Sequence, residues 1–307
     1  MSTAREKDFA IAVELLSDAA APLAWSNLGD WSAAREGDGN AAPDDSRYPA
    51  GNDGRIAARE GVRNAATDYD AACRALARRV GTAAALTPED RVLDLACGHG
   101  ASLALWPEAF GVRRIAGLEY QSRNVDKIRA HAPAGLEALV HGRFDVLPAP
   151  AELPPHAFDA VVCVDAAYHA ASLTAFVEFA AAMLQPRGRL AFTTLIASRP
   201  LVPGAGATLT ALRLGAARAG IPAASLPPEG TLYSVLSEQG FGDITLQTLD
   251  TEVLQGFSQF VPRRRRELSW RQKASAGWLK IEATGWLCRQ LIGSGALHYV
   301  LVSARRA

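Results

Sequence analysis

The chain has 307 residues, enough to bury a large core as one domain or as a core with an appendage. Hydrophobic residues make up 49% and charged residues 21%, and the 32 basic side chains cancel the 32 acidic ones, so no global field attracts nucleic acid or an anionic membrane. No apolar run is long enough to span a bilayer, no charged-then-apolar leader is visible, and the four cysteines are scattered without a C-x-x-C pair; a cytoplasmic protein with buried reduced thiols and no zinc site is expected.

Lys7 to Leu16 spaces Phe9, Val13 and Leu16 as one face of a short amphipathic helix. Trp25 and Trp31 flank a small polar turn; either they pack that helix onto the core or they belong to a segment that meets a ligand. From Ser32 to about Arg55 the composition turns to Gly, Asp, Asn, Ala and Pro, as in a mobile loop or a lid. Val62 to Val80 reads as a helix with Tyr69, Cys73, Leu76 and Val80 on one side, and Thr87 to Asp90 as a turn.

The stretch Arg91-Val-Leu-Asp-Leu-Ala-Cys-Gly-His-Gly100 is the one around which the remaining elements are arranged. Val92, Leu93 and Leu95 make a strand buried on both faces, which stops at Gly98-His99-Gly100. The two glycines let the backbone turn sharply and approach a ligand closely, and a helix opens at Ala101: a nucleotide-binding corner. A dinucleotide site wants a third glycine, where this chain has Leu103, and Asp94 at the strand end would repel a pyrophosphate. A ligand with a positive centre suits that acid. Glu119 ends the next strand, Arg114 to Glu119, 19 residues beyond Gly100, where its carboxylate can accept from two ribose hydroxyls.

Further along, Ser122 to His131 is a polar helix with Ser122 as its N-cap. A third strand lies near Ala138 to Gly142 and a fourth runs from Phe158 to Asp165. Ser172 to Leu184 is a helix burying Phe176, Phe179, Ala180 and Met183; Gln185 to Gly188 turns the chain into a fifth strand, Arg189 to Ile196. Helices over Leu209 to Ala219 and Glu229 to Gly240, the latter closed by Gly240, lead to strands at Gly240 to Leu249 and His298 to Ser303. Between these two strands Val253 to Ile292 reads as a helical insertion whose Trp270, Trp278 and Trp286 recur every eight residues, as a buried stripe or as the roof over an apolar acceptor. Arg263 to Arg266 form a four-arginine run, read as a solvated helix face or as a contact for an anionic substrate or a membrane surface.

The order Asp94-x-Ala96-x-Gly98-x-Gly100, with alanine where a first glycine is usual, resembles the first motif of class I S-adenosylmethionine (SAM) methyltransferases. The Phe-Asp-Ala-Val opening of the fourth strand and the Pro-x-Gly-x-Leu of the fifth are similar to that superfamily, and Tyr168-His169 resembles the strand-four ending of its ubiquinone, antibiotic and sugar branch. The resemblance implies a Rossmann-like α/β fold: a seven-stranded, mostly parallel sheet with its last strand antiparallel, an N-terminal helical lid (1–85), a SAM-binding core (86–200) and a C-terminal half (201–307) with a helical cap at about 253–292. It implies SAM as cofactor, S-adenosylhomocysteine as product and a small-molecule acceptor, without nucleic acid or membrane partners, in secondary metabolism. Asn27-Leu-Gly29-Asp-Trp31 resembles a segment that folds over the cofactor, so Trp31 joins Asp94, Ala96, Gly98, Gly100, Glu119, Tyr120 and Val164 as expected cofactor contacts. Where the family carries an acid for the adenine this chain has Arg143; either Asp145 takes its place or backbone groups hold the base. His169, as a base titrating near neutrality, and Tyr168, orienting the acceptor, are the expected catalytic residues, with Asp165 orienting the imidazole. An NAD-dependent oxidoreductase and a non-catalytic SAM-binding partner protein are the alternative readings.

Overall fold

The computed structural model describes residues 12–18, 21–33, 64–199 and 214–307. The first part of the 7–16 helix, most of the 32–55 loop, Val62 and residues 209–213 lie outside the described residues. Of the first helix, α1 spans Val13–Leu16. α2 (Ala65–Ala83) begins after Asn64, whose side chain accepts from Thr67 N, and it buries Tyr69, Cys73, Leu76 and Val80 as the spacing requires.

Seven strands form one sheet: β1 (Arg91–Leu95), β2 (Arg114–Glu119), β3 (Leu136–His141), β4 (Phe158–Cys163), β5 (Leu184–Ala197), β6 (Phe241–Thr248) and β7 (Leu297–Arg306). Their order is β3-β2-β1-β4-β5-β7-β6. Strands β1 to β5 pair in parallel, and β7 runs antiparallel between β5 and β6. This is the expected Rossmann-like sheet, with the chain reversing direction between β1 and β4, where open sheets leave a crevice. The 185–188 turn is an irregularity inside β5, where the pairing with β4 jumps from Leu184 to Arg189.

Helices cover both faces. On one face α2, α3 (Ala101–Phe110) and α4 (Ser122–Ala130) share a core with the C-terminal insertion; on the other lie α5 (Leu173–Met183) and α6 (Glu229–Glu238). The position before α4 is Gln121, with no side-chain cap, so Ser122 is the first helical residue and not the N-cap. Gly240 follows α6 at φ 78, a left-handed position that glycine fills without strain. All four cysteines are free and buried, and no described helix is long and apolar enough to cross a membrane.

The insertion is not one helix. A π-helical turn, Asp250–Gln255, leads into α7 (Gly256–Glu267), the short α8 (Trp270–Lys273) and α9 (Ala276–Ser294). Ser269 and Ser275 cap α8 and α9 with their hydroxyls and so set the breaks. Trp278 is fully buried, whereas Trp270 and Trp286 are 74% and 60% exposed. The tryptophan stripe therefore fails: eight residues rotate about 80° around a helix, and Trp270 sits on a different one. The arginine run is a solvated face at Arg263, Arg265 and Arg266, whereas Arg264 is buried, bonding Leu15 O, Asp18 and Glu267.

Candidate functional site

At the end of β1 the backbone reverses through left-handed positions: Ala96 at φ 57, Gly98 at φ 56 and Gly100 at φ 86. The glycines take them freely, while Ala96 carries a Cβ into that region. A Cβ on Gly98 would lie 2.8 Å from Ser26 Oγ, and one on Gly100 2.7 Å from Ile128 Cγ1. The corner is thus clasped by the N-terminal segment, whose Ala24 bridges Gly100, and by α4.

An open cleft lies beside it. Ser26, Ala96, Gly98 and His99 form one wall and Glu119, Tyr120, Gln121 and Asn124 a second. Arg143, Phe144 and Asp145, with Val164, Asp165, Ala166 and His169, complete the lining. The expected contacts Ala96, Gly98, Glu119, Tyr120, Asp145, Val164 and His169 are brought together here.

Glu119 accepts from Gly98 N at 3.0 Å, from Gln121 N at 2.9 Å and from Asn124 Nδ2 at 3.1 Å, which fixes its carboxylate at the mouth of the corner. Burial raises its pKa against these hydrogen bonds. Arg143 pairs with Asp145 at 2.6 Å and lies over the Tyr120 ring at 5.7 Å, so the departure from the family pattern forms a charge-paired wall. Asp145 also accepts from Ala171 N at 2.6 Å.

Four expected residues lie elsewhere. Trp31 is 2% exposed, stacked on Phe260 at 4.8 Å with its indole N–H donating to Leu28 O, so it belongs to the core. Asp94 faces α3, accepting from Trp106 Nε1 at 2.8 Å; it borders a second, smaller cavity of about 310 Å³ that shares Ser26, Ala96 and Val164 with the cleft. Burial pushes Asp94 up to about 6, held down by hydrogen bonds from Ser102 and Trp106. Gly100 shapes the corner from behind, at the head of α3. Tyr168 turns away from the lining and donates to Asp165 Oδ1 at 2.7 Å.

Asp165 does not orient His169. Its carboxylate accepts from Tyr168, from Tyr299 at 2.7 Å and from Leu28 N at 2.7 Å, tying β7 and the N-terminal segment to the end of β4. Burial brings it up to about 6 while the two phenols and the amide hold it down. Nor does His169 titrate near neutrality: burial lowers it to about 4, against a hydrogen bond from its Nδ1 to Gly220 O at 3.3 Å, and the Lys280 charge lowers it further. At neutral pH the imidazole is uncharged.

Sequence reasoning missed Ser26, Asn124 and Tyr299. Asn124 had a signal, just behind the acid that ends β2, and Ser26 lies in the Trp25–Trp31 turn, for which a ligand-meeting segment is one of the two readings; Tyr299 arrives from the far end of the chain and has none.

The glycine corner, the acid at the tip of β2 and the β5-β7-β6 edge define a class I methyltransferase, a class whose cofactor is SAM. The chain belongs to the methyltransferase-domain family, whose model matches residues 65–246. It is 27% identical over 205 residues to erythromycin 3''-O-methyltransferase of Saccharopolyspora erythraea, a match spanning 65% of this chain and 66% of that one, just under two thirds of the relative's length. Among solved structures, geranyl diphosphate C-methyltransferase from Streptomyces coelicolor superposes with a TM-score of 0.61 at 15% identity, over 79% of this chain and 82% of that one. The [4+2]-cyclase SpnF superposes at 0.58 and 16%, over 80% and 85%. At such identities the two structures speak for the fold alone.

The lining fits the cofactor. It carries three carboxylates, Glu119, Asp145 and Asp165, against one guanidinium, and that guanidinium is tied to Asp145. A ligand with an ammonium and a sulfonium meets attraction there, whereas a pyrophosphate meets repulsion.

Proposed function

We propose that the protein transfers the methyl group of SAM to a small-molecule acceptor, through an oxygen, nitrogen or carbon nucleophile. The acid-rich cleft at the glycine corner carries this reading. When bound, SAM supplies an electrophilic methyl on a positively charged sulfur. In this reading Glu119 holds the ribose hydroxyls, Gly98 and Ala96 let the backbone approach, Asp94 acts from the smaller cavity on the amino end, and Tyr120 with the Arg143–Asp145 pair bounds the base. The N-terminal region (1–85) lids the core (86–200), and the cap within 201–307 lies over the acceptor side. Tyr168 serves by fixing Asp165 rather than by touching the acceptor.

The acceptor meets the cleft at His169. With Nδ1 donating to the Gly220 carbonyl, Nε2 carries the lone pair and accepts a hydrogen bond from an acceptor O–H or N–H. A group titrating near 4 is a poor proton store at neutral pH, so its contribution is orientation, and the proton passes on to solvent. The supporting relative is an O-methyltransferase, which favours a hydroxyl acceptor.

Calorimetry with S-adenosylhomocysteine and with NADH, followed by a screen of phenols, sugars, amines and lipids against labelled SAM, tests the proposal. Binding of S-adenosylhomocysteine without NADH, and transfer of label to one acceptor class, is expected. Binding of NADH alone would overturn it, and binding of S-adenosylhomocysteine with no SAM consumed across the screen would favour a non-catalytic partner.

A further inference from the structure

The cap concentrates charge that the rest of the chain offsets. Residues 256–294 hold eight Lys and Arg against Glu267 and Glu282, in a chain of zero net charge. Three arginines of the run have carboxylate partners: Arg263 with Asp68, Arg264 with Asp18 and Glu267, and Arg265 with Glu282. Arg266, and Arg289 on α9, have none among the described residues. Both line one open groove. Its floor is one helical face running from Gln255, at the end of the π-helical turn, into α7 through Ser258, Gln259, Pro262, Arg263 and Arg266; α9 adds Arg289, Ile292 and Gly293. Among the described residues no Asp or Glu lines it, and no lining residue is shared with the cofactor cleft.

Three guanidinium groups line this groove from two helices: Arg263 is paired with Asp68, while the exposed Arg266 and Arg289 repel each other and present N–H forks to a ligand that can accept from both. The carbonyl end of α7 draws arginines to its last turn, but a helix end carries only about half a charge, so among the described residues neither Arg266 nor Arg289 meets a full counter-charge. A planar fork matches phosphate oxygens in bidentate fashion, and Pro262 with Ile292 offers an apolar wall for carbon beyond the phosphate.

We propose that this groove binds a phosphate-bearing ligand, with Arg266 and Arg289 as its anchoring donors. The phosphate belongs to a soluble phosphate ester or to a lipid headgroup; the two sources share this chemistry and are separated by the test.

Calorimetry and thermal melting of the full chain with pyrophosphate, and flotation with phosphatidic acid vesicles, compare the wild type with Arg266→Ala/Arg289→Ala and Arg266→Lys/Arg289→Lys. Pyrophosphate is expected to raise the wild-type melting temperature above that in sodium chloride of equal ionic strength. The double alanine variant, matched to wild type by circular dichroism, is expected to bind at least about tenfold more weakly, with the double lysine variant in between. Loss of pyrophosphate binding alone assigns a soluble ester, and loss of vesicle binding as well assigns a headgroup. Absence of wild-type binding to either probe, or equal binding by the double alanine variant, would overturn the proposal.

Discussion

Three residues at the cleft carry conformational or electrostatic loads that can be read separately. Ala96 holds a left-handed φ of 57 at a position that glycine fills more easily. Ala96→Gly relieves about 1–2 kcal/mol of backbone cost and gives back about 0.5–1 kcal/mol in the unfolded chain, so a gain of about 0–1.5 kcal/mol is expected in denaturant melts. His169, lowered to about 4, is neutral throughout the neutral range. The rate should show no His169 inflection between about pH 6 and 8, and His169→Ala should cost about tenfold to a hundredfold in kcat/KM at pH 7 with S-adenosylhomocysteine affinity unchanged. An inflection between about pH 6 and 7 that disappears in the variant would return the residue to a proton-storing role. The same shift makes its stability contribution fully present above the unfolded pKa of 6.5 and progressively lost as pH falls toward about 4. Asp165 runs the other way: raised to about 6, it contributes most below 3.8, and that contribution is lost as pH rises through about 6. Asp165→Asn at pH 7 keeps an acceptor for the two phenols but turns an amide N–H toward Leu28 N–H; a loss of about 1–3 kcal/mol and faster hydrogen exchange at the Leu28 amide are expected. Unchanged exchange at Leu28 would show that Asp165 does not hold the segment down.

Between elements, the telling junction is Trp31. Its stack on Phe260 and its backbone N–H bond to Glu252 O join the N-terminal segment to the insertion, and Gly256 is required there because any Cβ would run into the indole. Trp31→Ala should cost about 3–5 kcal/mol, as emptying an aromatic core site does, while Trp31→Phe should leave S-adenosylhomocysteine affinity near wild type. A drop in affinity for the phenylalanine variant at intact stability would instead mark Trp31 as a cofactor contact. This junction also shows why some of the molecule was legible and some not. Strands β1, β2 and β4 are short apolar runs ended by a glycine or an acid, so their borders and the cleft they frame could be read locally. Trp31, Tyr168 and Trp286 were misplaced because an aromatic ring's partner is chosen by tertiary packing. Nothing near Trp31 in sequence announces Phe260, and nothing near Tyr168 announces Tyr299. The His169 pKa was misjudged for the same reason, since burial by distant elements sets it.

Across the described residues, the N-terminal segment and the C-terminal insertion are tied to one another through buried charge pairs. Arg264 sits at the centre of these ties: buried on α7, it donates to Leu15 O at 2.9 Å and pairs with Asp18 at 2.5 Å and with Glu267, whose other oxygen accepts from Ala65 N at the head of α2. Arg263 ties the same helix to Asp68 on α2. Removing the guanidinium leaves a buried carbonyl without its donor and a cavity between three elements, so Arg264→Ala should cost about 2–4 kcal/mol in denaturant melts. Its neighbour Arg266 is exposed, and Arg266→Ala should stay within about 0.5 kcal/mol of wild type. Because the N-terminal segment also presents Ser26 to the cleft and Leu28 to Asp165, the Arg264 variant should bind S-adenosylhomocysteine more weakly although no atom of Arg264 lines the cleft. Added S-adenosylhomocysteine should in turn slow hydrogen exchange in α1 and α7 together. If the variant loses stability but binds as tightly as wild type, the N-terminal region and the cap are a packed scaffold whose closure is independent of the cofactor.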